Sequence, residues 1–209
     1  MMKEIKNLMF DLGGVIMEIR RADCVKAFTE LGMKGADEFF GEYRQTGPFL
    51  QLEAGQTTPA EFRQAMRQLF TATVSDSELD AALNKFLVGI PEHRLDELEE
   101  LKKRYKIYLL SNTNPIMWNS KIAAEFRKRG HDIDHYFDGT LMSFEVKAVK
   151  PDRAIFDEAA RRWGIEPGET LFLDDSAANV EAARRLGWQA TVVEPGAEFS
   201  ELITKYSDK

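Results

Sequence analysis

The chain opens with an apolar run, Ile5 and then Leu8 to Phe10, that stops at Asp11 and is followed by Gly13-Gly14. This pattern predicts a buried strand ending in a tight turn. From Arg20 to about Phe86 the apolar positions recur at three and four, as in Val25, Phe28 and Leu31, then Phe62, Met66, Leu69 and Phe70, then Leu79, Leu83 and Phe86. That spacing predicts helices throughout, with no strand-like run among them. Thr58-Pro59 ahead of Glu61, and Ser75 three residues before Glu78, are helix-start signals: a proline at the first helical position and a capping box. After Pro91 the period alternates, predicting helix 91–104, strand 106–110, helix 115–129, strand 139–144, helix 152–163, strand 170–173, helix 176–186 and strand 190–193. Strands alternating with helices of this length imply βαβ units and a parallel sheet covered on both faces. The expected fold is therefore α/β, a doubly wound, mainly parallel sheet formed by residues 1–17 and 90–209, with residues 18–89 inserted as an all-helical unit.

With 209 residues, of which 44% are hydrophobic and 30% charged, the chain can bury a core without disulfides or a structural metal. Its one cysteine, Cys24, lies on the helical pattern beside Val25 and Phe28 and reads as a packed thiol. A net charge of -7 repels a phosphate backbone, so nucleic acid is not an expected partner. The apolar run Leu8 to Phe10 is broken at once by Asp11, which fits neither a signal peptide nor a membrane span, so a soluble, cytoplasmic protein is expected.

In a doubly wound sheet, ligands bind at the carboxyl ends of the strands. The polar residues at those ends are Asp11, Ser111-Asn112, Lys150 and Asp174-Asp175. Together they suit phosphoryl transfer. A carboxylate can attack phosphorus, while a divalent cation held by hard oxygens, an ammonium and a hydroxyl stabilise the charge on the phosphoryl oxygens. Gly13-Gly14 would let the backbone turn tightly over such a site.

These residues resemble the haloacid dehalogenase superfamily of phosphatases, in the group with a helical cap after the first motif. The motifs are Phe10-Asp11-Leu12-Gly13-Gly14-Val15, Leu110-Ser111-Asn112, Lys150-Pro151-Asp152, and Asp174-Asp175-Ser176 with Asn179 downstream. The resemblance spans nearly the whole chain. It implies Asp11 as nucleophile, Ser111, Asn112 and Lys150 as phosphate binders, and Mg²⁺ held by Asp11, the carbonyl of Gly13 and Asp175. Asp174 would belong to the same metal cluster or support it, with Asn179 beside it. Within the superfamily the chain looks most like the subgroup with bacterial α-glucose-1-phosphate phosphatases and the phosphatase-like domain of epoxide hydrolases, which implies a small phosphorylated metabolite, with sugar phosphates the first expectation.

One position departs from the family pattern. Its phosphatases carry a second aspartate two residues after the nucleophile as general acid and base, and here that residue is Gly13. Three readings stay open: a phosphatase whose protons move through water or a cap residue, or whose substrates leave without much protonation; a dehalogenase; and a protein that binds a phosphorylated ligand without turning it over. Asp174-Asp175 weighs against the dehalogenase, because carboxylates crowded beside Asp11 repel one another unless a cation sits among them. Tyr43, Arg44, Gln51, Glu53 and Gln56 are polar candidates for contacting the leaving group. Lys147 is the alternative to Lys150, and His131 to His135 reads as a surface connector rather than a metal site.

Overall fold

The computed structural model describes residues 3–40 and 47–207. Five parallel strands form one sheet in the order β5-β4-β1-β6-β7: β1 (Asn7–Phe10), β4 (Lys106–Ser111), β5 (Gly139–Met142), β6 (Thr170–Asp174) and β7 (Gln189–Val192). β1 lies at the centre, with Phe10 level with Leu109 on one side and Leu173 on the other. Its side chains alternate between two cores: Leu8 and Phe10 pack with Ile107, Leu109, Leu171 and Leu173, while Met9 packs with Tyr108, Leu110 and Phe172 on the opposite face. Burial on both faces explains why the strand reads as an unbroken apolar run rather than an alternating one. The order places the ends of β1, β4 and β6 side by side, so Asp11, Ser111 and Asp174 meet at one edge.

Between β1 and β4 the chain leaves the sheet through β2 (Glu18–Ile19) and returns through β3 (Leu87–Gly89), two short strands paired antiparallel. The helices α1 (Arg21–Glu30), α2 (Ala36–Phe39), α3 (Gly47–Glu53), α4 (Pro59–Arg67) and α5 (Asp76–Asn84) lie between them. The expected capping box at Ser75 forms, and Thr58, ahead of the expected first-position proline, makes a second one. The Thr58 N–H donates to Glu61 Oε2 at 2.8 Å and the Ser75 N–H to Glu78 Oε2 at 2.9 Å, each answered by the reciprocal bond to the hydroxyl. Phe28, Phe40, Phe49 and Phe62 fill the core of this helical unit, with the Phe28 and Phe40 rings 4.8 Å apart. Cys24 is fully buried among them, and burial pushes its thiol up to about 12, against a smaller opposing pull from Arg21, which makes it inert.

The elements after Pro91 follow the expected alternation, beginning with α6 (Glu92–Lys102). Three details differ. The predicted single helix over 115–129 is interrupted by a π turn at Trp118–Ile122 and ends in a 3₁₀ turn. The Ser120 hydroxyl donates to the Ile116 carbonyl at 2.6 Å, drawing on an oxygen that the helix ladder would otherwise use. The strand predicted to reach 144 ends at Met142, because Ser143 turns inward and its hydroxyl exchanges two 3.1 Å bonds with the backbone of Thr113. A final helix, Phe199–Ser207, covers β1, with the Phe199 ring 4.8 Å from that of Phe10 and the Arg94 guanidinium 4.2 Å from the centre of the Phe199 ring. Among the described residues no helix is long and apolar enough to cross a membrane.

Candidate active site

Lys150 is the hub of the strand-end cluster. Its buried ammonium lies 2.7 Å from Asp11 Oδ1 and 2.7 Å from Asp174 Oδ2. The backbone of Lys150 is held in turn by Asn112, whose Oδ1 accepts its N–H at 2.8 Å and whose Nδ2 donates to its carbonyl at 3.0 Å. The motif after β4 therefore fixes the motif before helix Arg153–Trp163. Lys147, the alternative ammonium, is exposed on a left-handed turn.

Asp174 is fully buried, and both of its oxygens are engaged. Oδ1 accepts the Ser176 N–H at 2.8 Å and the Asn179 amide at 3.0 Å, while Oδ2 takes the Lys150 ammonium and, at 3.1 Å, the same Asn179 amide. Asp175 projects from the next position and is more exposed, and carboxylate oxygens of Asp11, Asp174 and Asp175 all lie within 4.8 Å of one another. The turn after β1 brings Gly14 against Asp175: with φ at +75°, a Cβ there would sit 2.2 Å from Asp175 Oδ2. Only glycine satisfies both the left-handed conformation and the approach. Gly14→Ala is expected to displace Asp175 and to weaken Mg²⁺ binding by about 10- to 100-fold, read by isothermal titration; an unchanged affinity would show that Asp175 is not a ligand.

The charges explain what the cluster could hold. Burial pushes the Asp11 carboxyl up to about 7; Lys150 opposes this, and Asp174 and Asp175 add to it. Partial burial and then Asp174 raise Asp175 as well. Burial works against the Lys150 ammonium, but Asp11 and Asp174 outweigh it and hold the group above the ordinary lysine value. Three carboxylates thus share one ammonium, and hard oxygens with excess negative charge suit a small divalent cation.

The strand ends open into a cavity of about 720 Å³ lined by Asp11, Gly13, Ser111, Lys150 and Asp175 from the sheet and by Glu53 from the helical unit. α3 docks through Gly55, where φ is +61° and a Cβ would stand 2.2 Å from the Phe144 carbonyl oxygen. Of the polar candidates on the helical unit, Glu53 and Gln56 line the cavity, Gln51 is exposed, and Tyr43 and Arg44 lie outside the described residues. Glu53 could have been singled out earlier: it falls four residues after Phe49, on the buried stripe of α3. His131 and His135 stack 3.8 Å apart on the surface, with His135 beside Glu99, and neither lines the cavity.

Glu53 is 9% exposed, and burial pushes its carboxyl up to about 8, with Asp11 adding and Lys150 opposing. A carboxyl raised above its ordinary 4.5 favours folding below that value and loses its contribution as the pH rises through about 8. The stability of Glu53→Gln relative to the parent is therefore expected to climb between pH 5 and pH 9, by up to roughly 5 kcal/mol. Denaturant melts across that range read it, and a constant difference would mean an ionised, solvated carboxylate.

Comparison with known proteins gives a consistent picture. A family model for haloacid dehalogenase-like hydrolases matches residues 5–187. D-ribitol-5-phosphate phosphatase of Bacteroides thetaiotaomicron is 36% identical over 200 residues, covering 96% of this chain and 97% of its own. A crystal structure of a HAD family enzyme from the same organism, wild type and in complex with magnesium and inorganic phosphate, is 41% identical with a TM-score of 0.89, over 95% of this chain and 98% of that one. L-2-haloacid dehalogenase from Xanthobacter autotrophicus, at 20% identity and a TM-score of 0.63 over 90% of this chain and 77% of its own, shares the fold.

Proposed function

The chain belongs to the haloacid dehalogenase-like hydrolase family, and from that premise we propose that it is a Mg²⁺-dependent phosphatase of a small phosphorylated polyol or sugar. The observation that carries this reading is the Asp11, Lys150, Asp174 and Asp175 cluster at the floor of the cavity, where a nucleophilic carboxylate, a buried ammonium and an uncompensated set of hard oxygens face the same space. The relative that hydrolyses D-ribitol-5-phosphate supports the substrate class.

In this reading Asp11 attacks the phosphoryl group and forms an aspartyl phosphate, and water then releases phosphate and restores the carboxylate. Lys150 and the Ser111 hydroxyl hold the phosphoryl oxygens. Asp174 touches no substrate; tied to Lys150, Ser176 and Asn179, it orients the ammonium toward Asp11. Asp11, Asp175 and the Gly13 carbonyl would hold Mg²⁺, which supplies charge neutralisation at the phosphoryl oxygens. The helical unit closes the cavity over the reacting groups and excludes water.

The test is phosphate release from a panel of aryl, acyl, sugar and polyol phosphates, with and without Mg²⁺. Mg²⁺-dependent release favouring a five- or six-carbon polyol or sugar phosphate is expected. Tight binding of such a compound with no release from any member of the panel would replace the enzyme with a ligand-binding protein.

A further inference from the structure

An alcohol leaves phosphorus poorly as an alkoxide, so a phosphatase acting on alkyl phosphates needs a proton donor at the leaving oxygen. Nothing after the nucleophile supplies one, because Gly13 has no side chain. Crowding is not the cause: a Cβ at Gly13 would meet only side-chain atoms of Ile19, at 3.4 and 3.9 Å. Of the other carboxyls lining the cavity, Asp175 belongs to the metal cluster and Asp152 is exposed at the start of helix Arg153–Trp163; Asp174, behind them, has both oxygens taken.

Among the described residues, Glu53 is the remaining acid. It ends α3, lines the cavity opposite the strand ends, and makes no hydrogen bond or ion pair with the described residues. Its carboxyl borders the cavity, and a bound substrate is the partner this arrangement anticipates. Asp11 is near enough for its charge to act on Glu53, and burial keeps the carboxyl protonated at neutral pH.

We propose, resting on the phosphatase reading above, that Glu53 is the general acid and base of the reaction, delivered by the helical unit in place of the missing group at Gly13. In the first step Asp11 forms its bond to phosphorus, the bond from phosphorus to the leaving oxygen breaks, and that oxygen takes the Glu53 proton to leave as the alcohol. In the second step the Glu53 carboxylate takes a proton from the attacking water. The bond between Asp11 and phosphorus breaks, its electrons return to the Asp11 carboxylate, and phosphate leaves with Glu53 protonated again. The site is then competent only with the helical unit docked, since the nucleophile and the acid come from different units.

The experiment compares Glu53→Gln with the parent on a polyol phosphate and on 4-nitrophenyl phosphate. With the polyol phosphate, kcat is expected to fall by about 10²- to 10⁴-fold while KM stays within a few-fold. With 4-nitrophenyl phosphate, whose leaving group needs no proton, the variant is expected to release a burst of one nitrophenolate per site and then turn over slowly, because only the water step still needs the base. Adding Gly13→Asp to Glu53→Gln is expected to restore polyol phosphate turnover at least about tenfold, and it serves as the deciding variant if the single substitution melts early. An unchanged kcat, or a loss confined to KM, would overturn the role of Glu53. A parent protein inactive on every phosphate would instead overturn the phosphatase reading itself, so the two failures are distinguishable.

Discussion

Asp11→Asn is expected to reduce phosphate release by about 10⁴-fold or more and to leave the fold in place. The amide keeps the shape of the side chain, including an oxygen able to accept the Leu12 N–H that Asp11 Oδ1 accepts at 2.7 Å. Lys150 keeps its second carboxylate, Asp174, at 2.7 Å, so no buried ammonium is stranded. What disappears, in the proposed mechanism, is the nucleophile. Because burial already raises the Asp11 carboxyl, replacing it with a neutral group carries little folding penalty, and a melting temperature within a few degrees of the parent is expected. Residual turnover above about a hundredth of the parent would show that phosphorus is attacked by another group, such as water.

Lys150→Met is expected to abolish turnover and also to destabilise the protein strongly. Among the described residues, the ammonium is the one cation within 2.7 Å of both Asp11 and Asp174. Removing one partner of a buried ion pair typically costs about 3–5 kcal/mol, a fall of roughly 6–20 °C in melting temperature for a domain of this size. The pH dependence is diagnostic. Lys150 opposes the burial that holds the Asp11 carboxyl near 7, so its loss raises that carboxyl further. A raised carboxyl favours the folded state while protonated and loses that contribution as the pH rises through the folded value. The variant should therefore be closest to the parent near pH 5.5 and furthest from it near pH 8, and Mg²⁺ should recover part of the difference. A melting temperature unchanged at pH 8 would mean that Asp11 and Asp174 are solvated or otherwise neutralised.

The two substitutions separate roles that the motifs alone cannot distinguish. Asp11 and Asp174 are both strand-end aspartates paired to the same ammonium, yet Asp174 has four donors around its two oxygens, counting the Asn179 amide once on each, whereas Asp11 lines the open cavity. A carboxylate held from every side is poorly placed to attack. One facing open space is free to do so.

Much of this architecture was legible before any coordinates. The strand at Leu8 to Phe10, the helix starts at Thr58-Pro59 and at the Ser75 capping box, and the alternation after Pro91 are local signals, carried by residues within a few positions of one another, so they survive without tertiary context. The chemical identity of the cluster was legible for a related reason: the ends of parallel strands converge, so polar residues that terminate apolar runs must meet. The local signals failed where a distant group decides the backbone. Ser143 ends β5 by bonding to Thr113, and the ribbon of β2 and β3 depends on pairing across the whole helical unit.

The sequence by itself determined the run of strands and helices, the helical insertion and the candidates Asp11 and Lys150, because periodicity, capping and strand termination are written in neighbouring residues. Only the tertiary structure decided which carboxyls are free and which are held, and that Glu53 rather than Gln51 faces Asp11 across the cavity. Burial and electrostatic coupling depend on which surfaces are brought together and on what is removed from water between them, and those are properties of the packed chain, not of any stretch of it.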